Sequence, residues 1–240
     1  MIERIVPTSV ACADLFEDPS DVELFPEEEE ALAQAVDKRR REFTSARACV
    51  RRALGVLGLP PAPVVPGPRG EPGWPGGVVG SITHCEGYRG AALARSSQVA
   101  AIGIDAEPNG PLPEGVLEVI SLPEERVHLA ELSRRDASVR WERLLFCAKE
   151  TVYKAWFPLT GLWLDFEEAS VEIDPARGTF AARLLVPGPT VGGARLQGFS
   201  GRLLVENGLI LTAIVVPSPG VADLPAPGAA DLSLPGAKTA

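Results

Sequence analysis

Val99-Ala-Ala-Ile-Gly-Ile-Asp105-Ala-Glu107 is apolar until its end and is stopped by Pro108. An apolar run closed by proline reads as a buried strand, here one whose C-terminal end emerges with two carboxylates. Residues two apart on a strand share a face, so Asp105 and Glu107 project together, and Gly103 on that face leaves the space before them empty. Such a pair suits a hard cation, yet a lone D-x-E also commonly just ends a strand at solvent. The flanking sequence has to decide.

Upstream, the apolar residues Phe43, Ala46, Val50, Leu54 and Leu57 recur at helical spacing within a segment running from Ala31 to about Gly58. At ~100° per residue Arg40, Arg47 and Arg51 fall within ~40° of one another beside this stripe. The acidic run Asp21 to Glu30 precedes it and reads as a solvated helix start with Pro26 in the first turn. Pro60 to Gly77 is dense in proline and glycine and reads as loop, followed by extended stretches at Val78 to Ile82 and Gly90 to Ala94. His84, in Gly80-Ser-Ile-Thr83-His84-Cys85, sits at the end of the first. With Thr83, Arg69, Arg47 and Arg51 it can complete a pocket of phosphate donors.

Downstream, Asn109 to Gly115 reads as a linker. A helix is expected near Pro123 to Leu132 and a stronger one from about Ser138 to Trp156, closed by Pro158, with Trp141, Leu144, Leu145, Ala148, Val152 and Ala155 as its apolar stripe. Glu150 and Lys154 stand at i and i+4 of this helix and can meet one ligand. Their neighbours Phe146, Tyr153, Trp156 and Phe157 are too apolar for a freely solvated ion pair. Strands are expected at Ala169 to Ile173, Thr179 to Leu185, Gly201 to Val205 and Leu209 to Val216, the last two joined by the hairpin signal Asn207-Gly208. Each half offers a long helix and several strands, an α+β pattern. The expected division is 1–108, 109–216 and a disordered Pro/Gly/Ala-rich tail, 217–240.

Composition narrows the function classes. The 240 residues are 45% hydrophobic and 23% charged, which excludes coiled coil, collagen and wholesale disorder, while 24 glycines and 23 prolines demand many turns. No apolar run approaches the ~18 residues of a membrane span, and Met1-Ile2-Glu3-Arg4 does not begin a signal segment, so a soluble cytoplasmic protein is expected. Cys12, Cys49, Cys85 and Cys147 stand singly, which suggests neither a zinc site nor a disulfide framework. A net charge of −9 disfavours nucleic acid and anionic membrane as partners, so a polyanionic ligand needs a local basic pocket.

Five motifs occur in order: Arg40-Arg41-Glu42-Phe43 with Arg47, Cys49 and Arg51; Gly70-Glu71-Pro72 with Trp74-Pro75; Gly80-Ser81-Ile82-Thr83-His84-Cys85 with Gly87-Tyr88-Arg89; Gly103-Ile104-Asp105-Ala106-Glu107; and Phe146-Cys147-Ala148-Lys149-Glu150 with Tyr153-Lys154-Ala155 and Phe157-Pro158. Together, over about Lys38 to Val216, they resemble the Sfp-type 4′-phosphopantetheinyl transferases, nearest the EntD-like subgroup. The resemblance implies a pseudo-dimer of two similar halves, each a long helix packed on a small, mainly antiparallel sheet, with coenzyme A between them. It implies transfer of the phosphopantetheine arm to a serine of acyl or peptidyl carrier proteins of polyketide, fatty acid and nonribosomal peptide synthases, releasing adenosine 3′,5′-bisphosphate.

Carried over by position, the resemblance makes Asp105, Glu107 and Glu150 ligands of Mg²⁺, with Mn²⁺ a substitute, and places Lys154 at the pyrophosphate. Arg47, Arg69, Thr83 and His84 would hold the 3′-phosphate end, with Arg40 or Arg41 nearby. Glu150 would serve as base, directly or through a metal-bound water, and Lys154 as donor to the leaving phosphate. The sequence departs from the pattern at Phe146, where tryptophan is common, and at Arg69, which stands earlier than the lysine that often precedes the loop proline. A monomer is expected, since two halves already form the cleft. The competing readings are a non-catalytic coenzyme A or carrier-protein binding module and a metal-dependent nuclease. The acidic balance and the placement of Glu150 and Lys154 on a helix disfavour the nuclease.

Overall fold

A computed structural model describes residues 1–221; the expected disordered tail lies, from residue 222 onward, outside the described residues. The first elements are β1 (Ala11–Leu15), α1 (Pro26–Ala31), α2 (Asp37–Val56), β2 (Val78–Cys85), β3 (Tyr88–Arg95) and β4 (Val99–Pro108). Then come α3 (Val116–Ile120), α4 (Pro123–Arg135), α5 (Trp141–Thr160), β5 (Ala169–Asp174), β6 (Thr179–Leu184), the short pair β7 (Thr190–Val191) and β8 (Ala194–Arg195), β9 (Gly198–Glu206) and β10 (Leu209–Pro217). The class is α+β, with antiparallel sheets ordered β1-β3-β2 and β4-β10-β9-β6-β5.

The quoted run is β4, and its alternation assigns its two faces. Ile102, Ile104 and Ala106 join an apolar cluster with Tyr88, Ala92 and Ala94 of β3 and with Leu211 and Ala213 of β10. Ala101, Gly103 and Asp105 face α5 instead. Each sheet carries a helix of 20 residues. Cys49, Val50, Ala53 and Leu54 of α2 pack on Ala91 and Leu93 of β3, while Leu144, Leu145, Ala148 and Val152 of α5 pack on Phe180, Leu203, Ile210 and Ile214. β4 was expected to close the first half, but its backbone partner is β10, Asp105 opposite Thr212, so it edges the second sheet.

One device fastens each long helix to the helix before it. Phe25-Pro26-Glu27-Glu28 starts α1 and Leu122-Pro123-Glu124-Glu125 starts α4, each with proline in the first turn and a glutamate reaching back to cap the helix. Glu28 accepts from the backbone N–H groups of Phe25 (3.1 Å) and of distant Val64 (2.9 Å), and pairs with Arg51 of α2 at 2.5 Å. Glu125 accepts from Leu122 and from distant Val171, each at 2.7 Å, and pairs with Lys149 of α5 at 2.8 Å. Glu28 is 1% exposed, so the acidic run is not wholly the solvated start it resembles: three neighbouring acids screen one that is buried and paired.

Several boundaries differ from expectation. The helix expected from Ala31 breaks at 32–36, where Leu32 turns inward and is buried, and α2 starts at Asp37. Pro158 does not close α5; a proline this near the end forfeits a single backbone bond, and Gly161, left-handed at φ 66°, is the true stop. β1 was unforeseen because a five-residue edge strand carries little pattern. Pro217 belongs to β10, and Ser218 is buried and donates from N to Gln98 O (3.0 Å) and from Oγ to Ser96 O (2.7 Å), so the expected tail begins too early.

Removing one partner of a buried ion pair costs about 3 to 5 kcal/mol because the other charge is stranded. Glu125→Gln would strand Lys149, which is 3% exposed. At roughly 2 to 4 °C per kcal/mol for a chain this size, thermal denaturation of Glu125→Gln is expected about 6 °C or more below wild type. Glu124→Gln, one residue away on the exposed side, is expected to melt within a degree or two of wild type, roughly the scatter of neutral surface changes.

Candidate active site

The site begins with a missing side chain. A Cβ at Gly103 would overlap the carbonyl oxygen of Thr151 and stand 2.9 Å from the nitrogen of Ala155, so the space the sequence leaves before the carboxylates is filled by α5 itself. That contact sets Lys154 and Glu150 beside the end of β4. Lys154 Nζ donates to Asp105 Oδ1 at 2.7 Å and to Ile104 O at 3.1 Å, and Thr83 Oγ1 donates to the same Asp105 oxygen at 3.0 Å. Asp105 is 5% exposed, and its Oδ2 is buried without a hydrogen-bond partner among the described residues. Glu107, farther along β4, is held by Arg143 at 3.0 Å.

These charges feel one another. Burial, and next the Asp105 charge, raise the Glu150 carboxyl above the usual range while Lys154 opposes them. Burial and Asp105 likewise raise Glu107 against the pull of Arg143. Burial disfavours the Lys154 ammonium, but Asp105 and then Glu150 outweigh it and hold its pKa above the usual lysine value. Among the described residues no three of His, Cys, Asp and Glu form a ready metal cage. The donor chemistry nevertheless fits Mg²⁺, which commonly takes one or two carboxylates and completes its shell with water and substrate phosphates. The unpartnered buried Oδ2 of Asp105 is the oxygen such an ion would satisfy.

Lys154 and Glu150 form part of the wall of a cleft of about 380 Å³. Arg39, Glu42, Phe43 and Arg47 of α2, Arg69, Pro72 and Trp74 of the proline-rich loop, Ile82 and His84 of β2, and Tyr153 and Phe157 of α5 also line it. Arg69 binds the loop to the end of α5, donating to Gly161 O at 3.0 Å with its guanidinium 5.7 Å from the Phe157 ring centre. Arg47 is 6% exposed; its Nε donates to Val64 O at 2.9 Å and its guanidinium lies 3.7 Å from the Phe43 ring centre. Burial lowers its pKa to about 10, partly offset by Glu28. His84 Nε2 stands 3.4 Å from Glu42 Oε2. A smaller slot of about 160 Å³, with Val152, Trp163, Leu164 and Phe166 in its wall, lies against Glu150 and Tyr153, which line both spaces; Tyr153 packs on Trp163 at 4.9 Å.

The structure thus gathers Arg47, Arg69, His84, Glu150 and Lys154 around one cleft, with Asp105 bound to Lys154. Others fall elsewhere. Arg40 pairs with Glu29 at 2.5 Å and reaches Leu32 O, outside the cleft, and Arg51 is bound to Glu28. Arg41 lines a separate groove with Lys38, Asp18 and Arg89, which meets the cleft at Glu42 and His84. Thr83 does not line the cleft: its hydroxyl is buried against Asp105 and the N–H of Ala106. Arg39 was overlooked, although the four-residue step Arg39, Phe43, Arg47 marks one helix face.

Burial pushes the His84 imidazole below the usual 6.5, with Glu42 opposing it and Arg39, Lys154 and Arg89 adding to it. In the free protein the His84 ring protons are therefore expected to titrate below 6.5, assigned against His84→Ala, and Glu42→Gln should lower that pKa further. A midpoint above 6.5 would contradict this arrangement of charges.

Comparison with known proteins agrees with the geometry. Residues 27–94 match the 4′-phosphopantetheinyl transferase N-terminal domain and residues 101–191 the 4′-phosphopantetheinyl transferase superfamily, the break falling between β3 and β4. The chain is 58% identical over 223 residues, 91% of its length and 90% of the relative's, to the 4′-phosphopantetheinyl transferase Svp of Streptomyces mobaraensis. It is 52% identical to Npt of Nocardia iowensis, over 89% of this chain and 99% of the relative, and 47% identical to PptT of Mycobacterium tuberculosis, over 90% and 98%. Enterobactin synthase component D of Salmonella typhimurium is 32% identical over about half of each chain. Similarity along nearly the whole chain, to relatives matched along nearly their whole length, makes this protein a member of the 4′-phosphopantetheinyl transferase family.

Proposed function

We propose that the cleft binds coenzyme A and that the protein transfers its 4′-phosphopantetheine arm to a serine of an apo carrier protein, leaving adenosine 3′,5′-bisphosphate. The observation that carries this reading is that Glu150 and Lys154, the latter paired with Asp105, line the same cleft as Arg39, Arg47, Arg69 and His84. A cleft that holds arginines and a histidine together with a carboxylate–ammonium cluster suits a nucleotide with a terminal phosphate and a pyrophosphate. The apolar slot beside Glu150 offers the arm a path away from the nucleotide.

In the transfer, the serine oxygen bonds to the β-phosphorus of coenzyme A as the bond from that phosphorus to the bridging oxygen breaks, and the bridging oxygen leaves with the nucleotide. Glu150, a stronger base than an ordinary carboxylate because burial and the Asp105 charge raise its pKa, accepts the serine proton. The Lys154 ammonium, held charged by Asp105, meets the negative charge that collects on the leaving phosphate. Asp105, Glu150 and Glu107 are the residues that would hold Mg²⁺ or Mn²⁺, which when bound neutralises pyrophosphate charge. Glu107 takes part only to the extent that Arg143 shares it. The reading extends to acyl and peptidyl carrier proteins as acceptors, a monomeric protein and a cytoplasmic setting. No helix among the described residues is long and apolar enough to cross a membrane.

Incubation with coenzyme A, Mg²⁺ and an apo carrier protein is expected to add the mass of one phosphopantetheine arm. Losing a general base costs roughly 10²- to 10⁴-fold, so Glu150→Gln should slow the addition by at least ~10²-fold without a comparable loss of melting temperature. Turnover near wild type at saturating Mg²⁺ would remove Glu150 from the chemistry.

A second expectation concerns the cationic rim. Charge-assisted hydrogen bonds contribute roughly 1.5 to 3 kcal/mol each. Wild type should therefore prefer coenzyme A over 3′-dephospho-coenzyme A, and an Arg39→Ala, His84→Ala double variant, which removes two such bonds, should lose roughly two to four orders of magnitude of that preference, at ~1.4 kcal/mol per factor of ten. Arg47 is left in place because it also ties Val64 and Glu28 to α2. An affinity ratio unchanged by the double substitution would mean that these side chains are a solvated face.

A further inference from the structure

β2 and β4 lie side by side in different sheets, with no backbone ladder between them. Two hydroxyls of β2 bridge them: Ser81 Oγ accepts from Ile104 N at 3.1 Å, and Thr83 Oγ1 accepts from Ala106 N at 3.0 Å. Thr83 is 1% exposed, and the one hydrogen of its hydroxyl is spent on Asp105 Oδ1. His84 lines the cleft and Thr83 does not, and the Thr83 hydroxyl, donating to Asp105 and accepting from Ala106, has no hydrogen left for a phosphate. With Lys154 on the same oxygen, Asp105 Oδ1 is held from two directions while Oδ2 stays buried and unpartnered among the described residues. A buried carboxylate oxygen left without a partner is costly unless something in the working state satisfies it.

We propose that Thr83 is a positioning residue for Asp105, fixing Oδ1 so that Oδ2 is presented to the divalent cation, and that it is not a ligand of the 3′-phosphate. The inference rests on the reading of Asp105 as a metal ligand given above. A group that orients a ligand typically affects metal affinity or activity by roughly 10- to 100-fold when removed. Thr83→Val keeps the shape of the side chain and removes the hydrogen bond, whereas Thr83→Ser keeps the hydroxyl.

The test is binding of Mn²⁺ to the full chain in the presence of coenzyme A, followed by the paramagnetic resonance of free Mn²⁺, with transfer kinetics alongside. Thr83→Val is expected to weaken Mn²⁺ binding and lower kcat by about tenfold or more, leaving the preference for coenzyme A over 3′-dephospho-coenzyme A unchanged, and Thr83→Ser to restore both. If Thr83→Val does not fold, Thr83→Ala removes the hydroxyl without added bulk and carries the same comparison. A lost preference for the 3′-phosphate would make Thr83 a phosphate ligand and overturn the proposal. So would wild-type Mn²⁺ affinity in Thr83→Val while Asp105→Asn loses it, which leaves the reading of Asp105 standing. Unchanged Mn²⁺ affinity in Asp105→Asn as well would overturn both.

Discussion

The contact between the backbone of α5 and β4 at Gly103 is the constraint on which the site depends. A helix normally keeps its distance from a sheet by the thickness of its side chains; here glycine lets the turn at Thr151 and Ala155 settle on the strand. Glu150 and Lys154 flank that turn on the helix, and Asp105 follows two residues along the strand on the same face. Their proximity thus follows from one close approach, and the ion pair between Lys154 and Asp105 closes it.

Around this contact the chain uses matching fasteners. Glu28 and Glu125 each cap the helix that precedes a long one, bind a backbone N–H more than thirty residues downstream and neutralise a cation on the following long helix. Burying a carboxylate is affordable only when its lone pairs are filled, and both glutamates have backbone and cationic partners at once. The result is two helices held firmly on two sheets, with the cleft bounded by α2 and β2 on one side and α5 on the other. Arg47 serves both structures, stabilising the Glu28 cluster with its Nε side while its guanidinium faces Phe43 in the cleft wall.

Much of this was legible in the residues. The strand ending in Asp105 and Glu107, the helix carrying Glu150 and Lys154, and the four later strands follow from periodicity and breakers, which act locally. What required tertiary contacts was not. The pairing of β4 with β10 joins residues more than a hundred apart, and an apolar strand fits either sheet equally well. The repeated Pro-Glu-Glu start of α1 and α4 is visible in the sequence, but nothing local tells which glutamate is buried. The empty space before Asp105 was misread for the same reason: a glycine announces room, and the neighbour that fills it comes from another element. Thr83 likewise belongs to a phosphate-like motif by order, while its burial against Asp105 depends on which way β2 faces.

Gly103→Ala tests the central claim most directly. The added methyl meets the Thr151 carbonyl, so α5 must shift on β4, and a displacement of about 1 Å in a catalytic group can cost ~10²-fold in rate. Overpacking of this kind costs about 1 to 3 kcal/mol, less than would unfold an ordinary domain. The measurement is the rate of arm transfer to a carrier protein, beside the affinity for adenosine 3′,5′-bisphosphate. The account predicts a folded protein with transfer reduced by roughly 10²-fold and nucleotide affinity little changed, because the cationic rim stands mainly on α2 and β2. Wild-type transfer by Gly103→Ala would contradict it, since the site would then not depend on the approach of α5 to β4.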